Sequence, residues 1–297
     1  VRSEAAAVAF SDDDDSEGSP RTKAEGRSDN RRVAGLSLPQ GKGPDDSNSW
    51  CPCDPSGFNV RQLGYSATKQ KAPSQGQILH VVGMDQFRTK RRLNHVAQQL
   101  RMPQVPGPVQ HWFIVNFQCP DYDPPNPVWG PKKFDGPGYS EVLYCPISPE
   151  LWAQCESATS GHLRLLWRFL HADKEPNPNE VYDRFKLIVR LMNLDDPNVN
   201  LGGQTLKIVK SYNAKPVLTR PQHLIIHADG YTEVDIVVHE FAYIARSALR
   251  SFKGNIQHMV FNVALVLEGK SDEELPEVVL FCAGLSRLNL SKAVPWP

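Results

Sequence analysis

The chain has 297 residues, 40% of them hydrophobic, and its 33 basic and 33 acidic side chains give a formal net charge of zero. That composition supports a globular core. It excludes a whole-molecule pull toward nucleic acid or an anionic membrane and leaves charge to act through local patches.

Residues 1–48 are rich in Asp, Ser, Gly, Arg and Pro and poor in bulky apolar side chains. Such a segment cannot bury enough surface to offset its chain entropy, so 1–48 is expected to be a disordered acidic tail. The run Asp12 to Asp15 lies between Ser11 and Ser16, a setting suited to acidophilic kinases, although a plain solubilising tail accounts for it more simply. The apolar patch Ala5 to Phe10 is too short and wrongly flanked for a secretory signal.

From Trp50 the pattern changes, and 49–297 reads as one folded domain. Leu93, Val96, Ala97 and Leu100 recur at helical spacing before Pro103. Leu163, Leu166, Trp167 and Leu170 make a second stripe. Phe241, Ile244, Ala245, Ala248, Leu249 and Phe252 make a third, ended by Gly254. Strands are expected at Val109 to Gln118, Phe185 to Met192, Leu206 to Val209, His223 to His227, Tyr231 to Val238, His258 to Leu267 and within Glu277 to Leu288. Pro- and Gly-rich connections separate them, with no strict strand–helix alternation. The expected class is α+β, a largely antiparallel sheet with helices packed on it. No apolar run reaches the roughly 18 to 20 residues that a membrane helix needs.

Few constellations suggest chemistry. Glu233 and Asp235 are two apart in a strand and share one face. They read either as an acid/base or metal pair, or as the solvated side of a half-buried strand whose other face carries Val234, Ile236 and Val238. His223 and His227 would stand roughly 13 Å apart on a strand, too far to share one ion, so scattered structural histidines are expected. Cys51 and Cys53 form a C-x-C pair with no second ligand pair, and the remaining cysteines stand alone, as reduced thiols of a cytoplasmic protein do. No phosphate-binding loop, dinucleotide fingerprint, nucleophile elbow or zinc-protease motif is present, and no cofactor is expected. Arg88, Lys90, Arg91 and Arg92 form the densest basic cluster of the folded part. They would either attract anionic lipid, at about 1 kcal/mol per residue near a charged membrane, or be a solvated helix start.

These segments also resemble, in order, the C-terminal domain of the plant Enhanced Disease Resistance 2 family. The likeness is carried by Phe58-x-Val60-Arg61, Gly64-Tyr65, Val82-Gly83-Met84-Asp85, Asn94-His95-Val96-Ala97 and Asn116-x-Gln118. It continues through Arg184-Phe185-Lys186-Leu187-Ile188, Lys215-Pro216, Tyr231-x-Glu233-x-Asp235, Leu267-Glu268-Gly269-Lys270 and Glu274-Leu275-Pro276-Glu277. The chain departs from the pattern at Thr219-Arg220, His239-Glu240 and Asn262, and Asn193 to Gly203 is longer than usual. The resemblance implies lipid- or membrane-associated regulation in the cytoplasm or at a membrane periphery, and it supplies no catalytic residues. The expected partners are an anionic lipid surface or other proteins, not nucleic acid. The rival readings are a protein-interaction scaffold and an enzyme using Glu233 and Asp235.

Overall fold

The computed structural model describes residues 30–125 and 135–296; Ser11 and Ser16, with the rest of 1–29, lie outside them. Two sheets dominate. The first is wholly antiparallel, in the order Pro216–Leu218, Phe185–Leu191, Val260–Leu267, Val279–Ser286, Ser49–Pro52. The second has six strands, in the order His223–Ala228, Tyr231–Val237, His111–Pro120, Gly138–Ile147, Gly83–Thr89, Val294–Pro295. It is antiparallel except where Tyr231–Val237 meets His111–Pro120 and Val294–Pro295 meets Gly83–Thr89. With helices against them, the class is α+β.

The alternation of side chains along a strand brings the two sheets together. Phe113, Val115, Leu143, Cys145, Val234 and Ile236 of the six-stranded sheet share one core with Phe185, Leu187, Phe261, Val263, Phe281 and Ala283 of the other. Phe113 sits at its centre, 6.3–6.4 Å from the rings of Phe281 and Phe185. Helix Gly161–Leu170 drives Leu165, Leu166, Phe169 and Leu170 into this core, while Leu163 and Trp167 of the expected stripe are only partly buried against it. Helix Pro149–Ser157 precedes it and is set by Ser148, whose hydroxyl accepts from the Leu151 amide, and by a proline in its first turn.

Several expectations are corrected. The folded unit begins at Arg31, not at residue 49. Ala34 and Leu38 are buried, and Arg32–Val33 pairs in parallel with Leu100–Arg101. Composition misassigns this stretch because its backbone, more than its side chains, is what the fold uses. Leu93 to Leu100 is not an amphipathic helix. Only a single 3-10 turn forms at Val96–Gln99, because the amides around it are taken by side chains of the sheet beneath. Leu206 to Val209 is not a strand but the middle of helix Gly203–Tyr212. Strands Gly83–Thr89 and Gly138–Ile147 carry buried polar side chains that mask their alternation.

Buried carboxylates anchor the irregular segments. Asp85 accepts the amides of Gly35, Leu36 and Ser37 at 2.6–3.1 Å and the Tyr144 hydroxyl at 2.9 Å. Glu233 accepts those of Val96 and Ala97 at 2.7 and 2.9 Å, and Asp235 accepts that of His95 at 3.0 Å. Hydrogen bonds to charged acceptors contribute roughly 1.5–3 kcal/mol each, and a donor orphaned in a buried site costs a comparable amount. Asp85→Ala should therefore lower unfolding free energy by about 3 kcal/mol and abolish hydrogen-exchange protection of the Gly35, Leu36 and Ser37 amides. Unchanged urea melts and unchanged exchange at those amides would contradict this account of how 31–38 is held.

Candidate functional site

Helix Tyr243–Lys253 lays its apolar face over one end of the space between the sheets, beside helix Gly203–Tyr212. Beneath them the side chains do not fill the sandwich, and a cavity of about 560 Å³ remains. Its walls are Phe117, Leu143, Leu187, Val189, Val263 and Ala283 of the sheets. Its roof is Ile208, Phe241, Ala245, Ala248, Leu249 and Phe252. Four of its lining residues, Tyr212, Val217, Ile244 and Lys253, are solvent-exposed, so the cavity opens beside the helices. That volume lies within the roughly 300–1,000 Å³ of small-molecule sites.

Among the described residues only Asp121, Glu141, Arg250 and Lys253 bring charged groups to the lining. Asp121 is paired with Lys253 and lies 3.9 Å from Arg250, which itself binds Asp123. Glu141 differs. It projects between Tyr139 and Leu143 on the inward face of its strand, buried, and its Oε1 accepts from Gln86 Nε2 at 2.9 Å. Its Oε2 is buried and has no partner among the described residues. Burial pushes its carboxyl up to about 7, against the smaller opposing effect of the Gln86 bond.

The residues singled out in the sequence lie elsewhere. Glu233 and Asp235 are fully buried, which corrects their reading as a solvated strand face. They stand on the outer face of the six-stranded sheet, away from the cavity. Asn116 donates to both Asp235 Oδ1 and the Leu93 carbonyl at 2.7 Å, and Gln118 donates to the Leu93 carbonyl and Asn94. Burial and the closeness of the two carboxylates raise Glu233 well above the usual carboxylate range. Apart from Asn116 of the neighbouring strand, the donors they meet are backbone amides of a covering segment that they fasten down.

Arg88, Lys90 and Arg91 are exposed. Arg88 pairs in register with Tyr139, which lines the cavity. Arg92 is engaged internally: its guanidinium meets Glu240 at 2.5 Å and its amide donates to Asp135. The cluster thus precedes a turn, not a helix, and presents three exposed cations instead of four. His223 and His227 bond the Thr219 and Tyr182 hydroxyls and hold loops. Among the described residues no helix is long and apolar enough to cross a membrane.

The family motifs converge in space. Asn94-His95-Val96-Ala97, Asn116-x-Gln118 and Tyr231-x-Glu233-x-Asp235 form the one polar network just described. Arg61, Lys186, Glu268 and Glu277 form a second, with Arg61–Glu268 at 2.5 Å, and Arg184 pairs with Glu274, also at 2.5 Å. A family model described as Protein ENHANCED DISEASE RESISTANCE 2, C-terminal, matches residues 50–289. The chain belongs to this family. It is 25% identical over 251 residues to an Arabidopsis thaliana protein called Protein ENHANCED DISEASE RESISTANCE 2-like, covering 83% of this chain and 30% of that one. The chain thus spans about 30% of the length of that relative. No solved structure matches.

Glu141 gives the site a pH signature. Its folded value, near 7, exceeds its ordinary value of 4.5. The folded state therefore holds the proton more tightly, and the stability this group supplies is complete below pH 4.5 and lost as pH rises through 7. Glu141→Gln cannot titrate, so its stability relative to the parent should improve between pH 5 and pH 8, by on the order of 3 kcal/mol. Urea melts of both proteins at the two pH values measure this; a constant difference would place Glu141 in a solvated setting.

Proposed function

We propose that this domain is a non-catalytic, lipid-associated regulatory module that holds one apolar molecule between its two sheets. The observation that carries the reading is the cavity, about 560 Å³ with walls almost wholly apolar. Burying a ligand's apolar surface there would yield roughly 25 cal/mol per Å². Membership of the Enhanced Disease Resistance 2 C-terminal family is consistent with a regulatory role.

Arg88, Lys90 and Arg91 supply the second part of the proposal, contact with an anionic membrane surface. They are exposed at the end of a strand whose neighbour borders the cavity, so a membrane drawn to them would lie close to the cavity's rim. This attraction is screened beyond about 8 Å at physiological salt.

Two measurements test these parts separately. Delipidated protein mixed with a long-chain lipid should bind it one to one by native mass spectrometry. Ala248→Trp or Ala245→Trp, which fill the roof, should weaken binding at least about tenfold; wild-type affinity in both folded variants would remove the cavity from the account. In co-sedimentation with vesicles containing phosphatidylserine, the wild type should pellet at low salt. Replacing Arg88, Lys90 and Arg91 together by Gln should abolish pelleting, at about 1 kcal/mol per residue. Equal pelleting by both proteins, or none by the wild type, would refute the membrane contact and favour a protein-interaction role for this surface.

A further inference from the structure

This inference rests on the cavity being a lipid site and concerns the chemistry of what the cavity recognises. We propose that Glu141 is the polar anchor of the cavity and that the ligand is a long apolar molecule ending in an uncharged hydroxyl group.

The lining leaves little else to read a head group. Asp121, Lys253 and Arg250 are occupied with one another or with Asp123. Glu141 is more than nine-tenths buried. The strand's alternation sets its side chain on the same face as Tyr139 and Leu143, both of which line the cavity. Gln86 holds Oε1 at 2.9 Å and so fixes the carboxyl, while Oε2 faces no protein partner among the described residues. Buried polar atoms in folded proteins are nearly always bonded, and one left unpaired costs roughly 1–3 kcal/mol. The carboxyl is therefore a fixed half of a hydrogen-bonded pair whose other half the described residues do not supply.

A hydroxyl suits that place better than the other common lipid heads. It both donates and accepts, so it satisfies Oε2 whether the carboxyl is ionised or protonated. Burial raises Glu141 to about 7, so both forms are populated near neutrality. A carboxylate head would set two anions together where water does not screen them. A quaternary ammonium has no proton to donate. A hydrocarbon or an ether leaves the ionised carboxyl unpaired. Sterols and diacylglycerols both offer one free hydroxyl on a large apolar body, and the site chemistry is common to the two.

The test is displacement of a bound apolar fluorescent dye from the full chain by probes that share one tail: hexadecan-1-ol, hexadecyl methyl ether and palmitate. Wild type should bind the alcohol about tenfold more tightly than the ether, equivalent to about 1.4 kcal/mol, and palmitate no better than the ether. Glu141→Leu should reduce that ratio to less than about twofold by weakening the alcohol alone. Glu141→Gln, which still donates and accepts, should keep most of the preference. Glu141→Met serves the same purpose as the leucine variant should the latter not fold. Cholesterol and 1,2-dioleoylglycerol in the same assay identify which skeleton carries the hydroxyl. If the probes displace the dye but alcohol and ether bind alike, or palmitate binds best, the head-group inference falls while the cavity reading stands. If the protein binds neither dye nor any probe, both fall.

Discussion

The structure depends on buried carboxylates that accept backbone amides from segments lacking regular hydrogen-bond partners. Asp85 gathers three successive amides of 35–37, and Glu233 and Asp235 gather those of 95–97. At another edge Glu277 takes the amides of Arg61 and Gly269. Irregular backbone cannot be buried unless its polar groups are paired, so these side chains decide where loops can cover a sheet. They also explain why the family's motif residues are polar yet inaccessible. Those residues serve as fasteners for the two covering layers, and both carboxylates of the Tyr-x-Glu-x-Asp strand are consumed in that role.

Because the outer faces are sealed in this way, the inner faces are free to be apolar. At one end of the sandwich Phe169 and Leu170 of helix Gly161–Leu170 fill the space. At the other, helices Gly203–Tyr212 and Tyr243–Lys253 lie over it and leave the cavity. The roof contributes small side chains, Ala245 and Ala248, where a core would place large ones. Its outer positions Tyr243 and Ile244 stay exposed, an arrangement that fits a cover able to separate from the sheets more easily than the Phe113 core. Glu141 Oε2, a buried atom with no partner among the described residues, belongs to this end and not to the fastened carboxylates.

Much of the fold is legible in the sequence because periodicity reports directly on burial. The Leu163 to Leu170 stripe and the strands beginning at Phe185, His223 and Tyr231 stand close to where alternation places them. The misreadings share a physical cause. Leu93, Val96, Ala97 and Leu100 are all buried, as a helix would bury them, but side chains distant in sequence take the amides a helix would use. Residues 31–48 offer few apolar side chains and are held through their backbone, which composition cannot show. Leu206 to Val209 is too short for its period to separate strand from helix; Lys207 and Lys210 off its apolar face were the available signal. The cavity itself is invisible in sequence because its lining is spelled like a core. Glu141 did leave a trace, as a lone acid within an otherwise apolar strand running from Tyr139 to Ile147.

The most direct test of the central claim, that one apolar molecule occupies the space between the sheets, is a crystal structure of the protein grown with hexadecan-1-ol. The account predicts continuous elongated density bounded by Phe117, Leu187, Val263 and Ala248, with its polar end within hydrogen-bond distance of Glu141 Oε2. Helix Tyr243–Lys253 collapsed onto the sheets with no enclosed density, or the alcohol bound only on the outer surface, would contradict it.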